Sequence, residues 1–204
     1  YTGSAFAATV TVTGIDGVAS PSLEAVTPTV LYYVGTKVGG RGTINAPTKA
    51  GTYSVVATYG GSTNYANVQS TTLTFTISKV SPSLSVADAG GTYTGVSYPA
   101  TVTLLDLHGA VVSNLEGIRP TVKYYVGASV GSRGTTTPPK NAGVYTVVAS
   151  MKAGVNYQAV QSEPVSFVIS KVVPSLTVSA PDGPYTGYAH PATVTLRNMY
   201  GSVV

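Results

Sequence analysis

The sequence predicts an all-β protein made of tandem antiparallel β-sandwiches, each with about seven strands and stacked end to end. Residues 50–57 read Ala-Gly-Thr-Tyr-Ser-Val-Val-Ala, and nearly the same octapeptide returns at residues 142–149. In the first octapeptide Tyr53, Val55 and Ala57 fall on one face of an extended chain, which is the alternation of a half-buried strand. The Gly-x-Tyr opening also predicts a tyrosine corner, in which the hydroxyl bonds to nearby backbone. Gly/Pro turns separate such segments and no helical period occurs, so an antiparallel β fold follows.

The strand-like segments belong to a repeat of fixed length. The tripeptide Tyr-Thr-Gly occurs at residues 1–3, 93–95 and 185–187, so the offset is 92 residues (93 − 1 and 185 − 93). The tripeptide Ile-Ser-Lys keeps this offset at residues 77–79 and 169–171. A constant offset along a whole chain indicates a tandem array of one structural unit.

The repeat predicts three domains. Residues 80–171 are expected to form a complete sandwich, residues 1–79 a sandwich that lacks its first strand, and residues 172–204 the start of a third repeat. The short join after Lys79 contains proline and predicts little freedom between neighbouring repeats. We expect the natural protein to continue in both directions. The alternative is that a neighbouring chain supplies the missing strand at an open sheet edge.

The first two strands of a copy are defined by their inward residues. The first strand has two of them, Leu84 and Val86, which recur as Leu176 and Val178. The second strand has three in each copy: Ala8, Val10 and Val12, then Ala100, Val102 and Leu104.

The later strands are assigned in the same way. The third strand has three inward positions: Val30, Tyr32 and Val34. Lys123 in the second copy decides which face of this strand points inward, because a lysine belongs on the solvent side. Tyr33 and Tyr125 lie on the same face as the lysine position and are therefore directed outward. Short edge strands are predicted within residues 39–43 and 131–137. The strand at residues 50–57 comes next, and the last strand has three inward positions: Leu73, Phe75 and Ile77.

Composition excludes several classes of partner. Only 9% of residues are charged while 43% are hydrophobic, and the formal net charge of +4 is spread along the chain without a basic run. A nucleic-acid-binding surface would need a basic patch or stripe, so no nucleic-acid partner is predicted. There is no cysteine, hence no disulfide or thiolate metal site. No apolar run reaches the roughly 18 residues of a membrane span.

Three motifs in order resemble a known family. They are the octapeptide at 50–57, the Gly-Gly-Ser-Thr-Asn-Tyr segment at 60–65 and the Phe-Thr-Ile-Ser-Lys-Val-Ser-Pro segment at 75–82. Together they resemble bacterial immunoglobulin-like tandem repeats, including the MBG-type modules of large bacterial surface proteins. The resemblance implies immunoglobulin-like (Ig-like) sandwiches that are secreted or surface-anchored and act as spacers in adhesins and long exoproteins. It implies no catalytic residues and identifies no ligand.

Two sets of residues are candidates for a functional role. Some bacterial surface sandwiches carry a Lys–Asn isopeptide bond beside an acid, and such residues recur here: Lys79 and Lys171, Asn64 and Asn156, Glu24 and Glu116. The alternative is a purely structural role for each residue: a solvated lysine, an asparagine in a turn and a glutamate that caps a loop. Four tyrosines are expected to be partly exposed: Tyr33, Tyr59, Tyr65 and Tyr125. The candidates for self-association or ligand contact are Tyr33, Tyr65, Tyr125 and Tyr157.

No catalytic chemistry is predicted. His108 and His190 lack histidine counterparts in the other copies, and neither a nucleophile elbow nor a zinc-binding His-Glu-x-x-His motif occurs. No cofactor is expected. Calcium at the domain joins is an alternative, because Asp88 and Asp182 lie near joins, although plain turn chemistry explains both.

These observations favour a structural function. The primary hypothesis is an extracellular repeat protein that forms a semi-rigid rod, stalk or fibre on the bacterial surface, whose partners are copies of itself or neighbouring repeats. The alternative is an adhesin segment that binds a glycan or cell-surface protein through loops or exposed tyrosines. Strands match between copies while loops such as 14–21 and 106–113 diverge. That difference fits a spacer better than an array of identical binding sites. An enzyme is not expected.

Overall fold

A computed structural model describes all residues from Tyr1 to Val204 and shows an all-β protein without a helix. Its sixteen strands are β1 (Val12–Thr13), β2 (Ala19–Ser20), β3 (Thr29–Val34), β4 (Gly51–Tyr59), β5 (Val68–Gln69), β6 (Leu73–Ile77), β7 (Ser83–Ala87), β8 (Gly91–Thr92), β9 (Thr101–Leu105), β10 (Val111–Val112), β11 (Thr121–Val126), β12 (Gly143–Met151), β13 (Val160–Gln161), β14 (Val165–Ser170), β15 (Ser175–Ser179) and β16 (Thr193–Arg197). No helix long and apolar enough to cross a membrane is present.

The strands form several sheets in which antiparallel pairing prevails. In one sheet β4 is central, between β3 and β6, and also pairs with β5. A second sheet has the order β11-β12-β14-β8, with β13 on β12, and its β14–β8 pair is parallel. The remaining sheets are β10-β9-β7, β1-β2 and β15-β16. The predicted all-β, antiparallel class is confirmed at this level.

The chain divides into two compact units, each assembled from separate segments. The first contains Tyr1–Ser85, Thr103–Pro120 and Ser150–Gln161. The second contains Val86–Val102, Thr121–Ala149 and Ser162–Val204. The domain limits drawn from the repeat, after residues 79 and 171, stay a prediction.

Strands and contacts recur at the offset of 92 residues. The nine-residue strand β4 returns as β12, and the six-residue strand β3 returns as β11. In the first copy the Tyr32 hydroxyl accepts a hydrogen bond of 2.7 Å from the Ala8 N–H. In the second copy the Tyr124 hydroxyl accepts one of 2.7 Å from Ala100. The sequence similarity therefore reflects the same local packing.

The tyrosine corner is confirmed in both copies. The Tyr53 hydroxyl donates to the Lys49 carbonyl at 2.9 Å, and the Tyr145 hydroxyl donates to the Asn141 carbonyl at 2.9 Å. Each ring also stacks on a phenylalanine of the adjacent strand, with 5.7 Å between ring centroids. The hydroxyl thereby ties the loop to the start of the central strand.

The prediction that β4 is half-buried is wrong for its middle. Ser54 is 0% exposed and Val56 5%, although both lie opposite the face that carries Val55. In the matching strand the buried Thr146 hydroxyl donates to the Gly127 carbonyl at 2.8 Å and lies 3.1 Å from the Ser166 hydroxyl. In the second copy the sheet thus satisfies the buried hydroxyl, whereas the buried Ser54 hydroxyl of the first copy has no hydrogen-bond partner within the chain.

Other expected inward positions are exposed. Val34 is 87% exposed because it ends β3, where the chain turns at Gly35 with φ of 98°. Leu73 is 62% exposed, while Ile77 at the other end of β6 is 2% exposed. The expected edge strands near residues 39–43 and 131–137 reduce to single bridges, from Thr43 to β3 and from Thr135 to β11.

The predicted first strand of a copy is present twice but differs in burial. In β7 the side chains of Leu84 and Val86 are 8% and 7% exposed, as expected for inward positions. In β15 the matching Leu176 and Val178 are 64% and 66% exposed. Each strand therefore forms, but only β7 buries its apolar face.

Candidate functional site

A set of polar contacts lies where the first copy of the repeat meets the loops of the second, entirely within the first compact unit. We call these residues the junction cluster: Tyr1, Ala50, Lys79, Val80, Glu116, Asn156 and Tyr157. Tyr1, Ala50 and Lys79 belong to the first copy, Val80 begins the second copy, and the last three residues belong to the second copy.

Glu116 enters the junction cluster from a tight turn. Leu115 and Ile118 form an antiparallel bridge around Glu116 and Gly117, whose φ angles are 53° and 78°. Two consecutive residues with positive φ define a type I′ hairpin turn. Its carboxylate accepts hydrogen bonds from the Asn156 backbone N–H at 3.1 Å and from Asn156 Nδ2 at 2.6 Å.

The first copy contains the matching turn and pair. Glu24 and Ala25 have φ angles of 46° and 60°, and the Glu24 carboxylate accepts the Asn64 backbone N–H at 3.0 Å. Asn64 Nδ2 donates to the other carboxylate oxygen. The nearby Ser62 hydroxyl, followed by the hydrogen bonds from Asn64, lowers the pKa of Glu24 below its ordinary value of 4.5. Each copy therefore presents a glutamate side chain hydrogen-bonded to an asparagine.

Asn156 connects this pair to the preceding copy. Its side-chain oxygen accepts the Ala50 backbone N–H at 2.8 Å, and its own carbonyl accepts the Val80 N–H at 3.0 Å. The residue is only 8% exposed. Asn64, by contrast, is exposed, and its hydrogen bonds go to Glu24 alone. Asn156 thus satisfies groups on three separate segments at once.

Val80 and Tyr157 form the backbone part of the junction cluster. They make a parallel bridge, and the Gln158 N–H donates to the Val80 carbonyl at 2.9 Å. The Tyr157 ring meets the Tyr1 ring edge-on, with 5.8 Å between centroids. Burial, followed by the proximity of Tyr1, raises the pKa of Tyr157. Both backbone groups of Val80 are therefore bound to the segment at residues 156–158.

The structure brings together only part of the predicted isopeptide set. Glutamate and asparagine meet in both copies, but the Lys79 ammonium donates to the Gly154 carbonyl at 2.7 Å instead of meeting an asparagine side chain. Lys171 is exposed, and its side chain makes no hydrogen bond within the chain. The crosslink stays a prediction, tested by whether the intact mass shows a loss of ammonia for each copy.

The candidate tyrosines have different environments. Tyr33 and Tyr125 are half-buried, and each ring lies over a glycine, Gly42 or Gly134, at which an added Cβ would approach the ring to 2.7 Å. Tyr65 is also half-buried, and its hydroxyl accepts the backbone N–H of residue 15 at 3.4 Å.

Two tyrosines are buried. Tyr59 is 3% exposed, so the expectation that it is partly exposed is wrong: its hydroxyl donates to the Leu23 carbonyl at 3.2 Å. Tyr157 is 8% exposed within the junction cluster. Whether any of these tyrosines serves self-association or ligand binding stays a prediction.

The remaining polar candidates lie in local turns. Asp88 accepts the Gly90 N–H at 2.9 Å, and Thr186 Oγ1 lies 3.4 Å from His190 Nε2. His108 is exposed next to Asp106, whose pKa is lowered by hydrogen bonds from the backbone N–H groups of Ala110 and His108. No group of three or more His, Asp or Glu side chains is arranged to hold a metal ion. Calcium at the joins stays a prediction.

The contact between Asn156 and Ala50 was not found from the sequence. Comparison of the copies aligns Asn156 with Asn64 and Ala50 with Ala142, whereas the contact pairs residues from different positions of two copies. The sequence does show that Glu and Asn recur at matching positions, which indicates that these two residues act together.

Comparison with known protein families, with curated proteins and with solved structures finds no match for this chain.

Proposed function

We propose that this chain is part of an extracellular structural repeat protein that forms a semi-rigid rod, stalk or fibre on the bacterial surface. In this proposal each copy of 92 residues folds as an Ig-like sandwich, and successive copies stack end to end. The function is mechanical: the number of repeats sets the length of the rod, and the joins hold each repeat in a fixed orientation relative to the next.

The junction cluster carries the proposal. A flexible linker would leave its backbone groups to water, but here both the N–H and the C=O of Val80, the residue after Lys79, bond to residues 156 and 158 of the second copy. Asn156 adds a buried side-chain bond of 2.8 Å to Ala50, and Lys79 adds one of 2.7 Å to Gly154. The last two hydrogen bonds join separate segments of the two copies and restrain rotation about the join, because both must break before the copies can swing apart.

Recurrence of the contacting residues extends the argument along the chain. The turn glutamate and its asparagine occur in both copies, and Lys171 and Val172 stand where Lys79 and Val80 stand 92 residues earlier. A join that uses recurring residues can be formed again at each repeat, which suits a polymer-like structural element.

Small-angle X-ray scattering and electron microscopy of the purified chain test the proposal. We expect elongated particles with a spacing of roughly 30–45 Å per repeat, from strand length plus loops. Asn156→Ala should broaden the distribution of bend angles, whereas the exposed counterpart Asn64→Ala should leave it unchanged. Compact particles, or equal bending in both variants, would contradict a stiff join.

Location is tested separately. Antibodies against the chain should label intact cells of the source bacterium, and protease added outside should remove the label. Labelling only after the cells are permeabilised would refute a surface location, whatever the shape of the particle.

A further inference from the structure

We propose that a cleft between β3 and the segment at residues 43–49 binds a sugar ring that carries a carboxylate, as in the uronic acid units of acidic polysaccharides. The cleft lies entirely within the first compact unit and has a volume of about 240 Å³. Drug-sized ligands occupy clefts of roughly 300–1,000 Å³, so this cleft suits a single ring. The site is independent of the proposed structural function, because neither one requires the other.

Aromatic and apolar side chains form much of the lining of the cleft. They include Tyr33, Tyr53 and Pro47. Both tyrosines are half-buried, so the protein holds each ring in place while part of its surface stays in contact with water. A half-buried tyrosine offers an apolar ring beside a polar hydroxyl. The C–H face of a sugar can pack on such a ring while the sugar hydroxyls bond to polar groups nearby.

Backbone hydrogen bonds fix the segment at residues 43–49. The Tyr32 N–H donates to the Thr43 carbonyl at 2.8 Å, and the Thr43 N–H donates to the Tyr32 carbonyl at 3.0 Å. The Pro47 carbonyl accepts a backbone N–H at 3.0 Å. The Lys49 carbonyl accepts the Tyr53 hydroxyl at 2.9 Å. The segment is therefore held at its start, middle and end, and a preformed cleft loses little conformational freedom when a ligand binds.

The second repeat contains the same frame, so the cleft does not depend on its place in the chain. There the Tyr124 N–H donates to the Thr135 carbonyl at 2.7 Å, and the Pro139 carbonyl accepts a backbone N–H at 2.8 Å. The Tyr145 hydroxyl donates to the Asn141 carbonyl at 2.9 Å. Every residue that lines the cleft also has the same degree of burial as its counterpart 92 positions later.

Two polar side chains of the lining are free to bind a ligand. Asn45 and Lys49 are exposed, and neither side chain makes a hydrogen bond within the chain. An ammonium group donates to a carboxylate in a charge-assisted hydrogen bond, and an amide both donates to and accepts from hydroxyls. The matching segment of the second repeat also contains one lysine and one asparagine, Lys140 and Asn141.

The charge of this part of the chain favours an acidic sugar over a neutral one. Residues 25–87 contain four basic residues, Lys37, Arg41, Lys49 and Lys79, and no aspartate or glutamate. No carboxylate of this stretch therefore repels an anionic ligand or competes for Lys49. Because the four cations are spread out and form no stripe, a single carboxylate is a better match than a phosphate backbone.

Three small ligands separate the sugar ring from its charge. Glucuronate carries both, glucose carries the ring alone, and acetate carries the carboxylate alone. In NMR titrations of the isotope-labelled chain, glucuronate should shift the backbone amide signals of Thr43, Asn45 and Lys49 at lower concentrations than the other two. Added salt should weaken the binding of glucuronate and not that of glucose. Equal affinity for acetate or for glucose, or no shift with glucuronate, would overturn the proposal.

Matched lysine variants locate the charge that binds the ligand. Lys49→Met keeps most of the apolar stem, removes the ammonium and should weaken the binding of glucuronate roughly tenfold. Lys37 is exposed in the same repeat and does not line the cleft, so Lys37→Met is the control and should change affinity less than about twofold. The amide spectra verify that both variants stay folded. Equal losses in the two variants would show a general effect of charge and refute the site.

A competition experiment distinguishes the acidic sugar from a nucleic acid. Oligosaccharides of glucuronic acid should displace glucuronate from the cleft, and the same amide signals should move. A single-stranded oligonucleotide of similar charge should leave those signals unchanged. If the oligonucleotide displaces glucuronate and the oligosaccharide does not, the cleft binds nucleic acid and the proposal is wrong.

Discussion

The side-chain oxygen of Asn156 accepts the backbone N–H of Ala50 at 2.8 Å, although the two residues belong to different copies of the repeat. The same asparagine donates Nδ2 to Glu116 at 2.6 Å. One buried amide therefore uses its acceptor on one copy and its donor on the other. Removing it leaves polar groups unpaired on both sides.

Asn156→Ala should destabilise the chain by about 2–3 kcal/mol, because the Ala50 N–H and the Glu116 carboxylate both lose a partner in a place largely closed to water. Asn64→Ala, at the exposed counterpart, should cost less than about 1 kcal/mol. Urea denaturation of both variants measures the difference. Equal losses would mean that the contact with Ala50 contributes nothing.

The two glutamate turns differ at their second residue, and the difference predicts a stabilising substitution. Ala25 has φ of 60°, a conformation that disfavours a side chain, whereas the second copy has Gly117 with φ of 78° there. Ala25→Gly should therefore stabilise the chain by about 1 kcal/mol, and Gly117→Ala should destabilise it by about the same amount. Thermal melts of the two variants should shift in opposite directions, and shifts of the same sign would contradict the turn assignment.

Acid should weaken the first copy through Glu24. Because the folded pKa of Glu24 lies below its ordinary value of 4.5, the folded state stabilises the ionised form. That contribution is complete above the unfolded pKa and is lost as the pH falls through the folded pKa. Denaturation midpoints measured from neutral pH to below pH 4.5 should converge for wild type and Glu24→Gln. A constant gap between them would show that the carboxylate charge is irrelevant.

The buried tyrosine hydroxyls should matter more than the half-buried ones. Tyr124→Phe removes the acceptor for the Ala100 N–H, a bond of 2.7 Å, and should cost about 1–2 kcal/mol. Tyr32→Phe should cost a similar amount, because the same bond occurs in the first copy. Tyr125→Phe is the matched control, since its hydroxyl makes no hydrogen bond within the chain, and it should be nearly neutral in urea denaturation.

Local alternation predicted those parts of the fold that depend on neighbours in the same strand. Leu84 and Val86 are buried as expected, and the Tyr53 hydroxyl bonds to nearby backbone as its motif predicts. Val34 was expected to point inward but is exposed, because alternation cannot show where the core ends along a strand. Ser54 was expected on the outer face but is buried, although its hydroxyl has no hydrogen-bond partner, and alternation cannot show this either.

Contacts between residues of different copies could not be predicted from alternation or from the repeat. The recurring Glu and Asn were identified as partners of each other, and the structure pairs them in both copies. Their lysine was expected in the same group, but Lys79 bonds to Gly154. A repeat reveals which residues are equivalent, whereas a contact between different positions of two copies depends on how the copies pack.

The parallel pairing of β8 with β14 has a mechanical consequence. β8 lies near the start of the second repeat and β14 at its end, with Gly91 opposite Ile169 and Thr92 opposite Ser170, and the Tyr93 N–H extends the contact to the Ser170 carbonyl at 2.9 Å. Tension applied through the two ends of that repeat pulls parallel strands in opposite directions along their length. The load then falls on all these hydrogen bonds together in shear, whereas a hairpin pulled open from its ends would unzip one bond at a time. In the proposed rod, a repeat tethered in this way would resist stretching most strongly along the direction in which its neighbours pull.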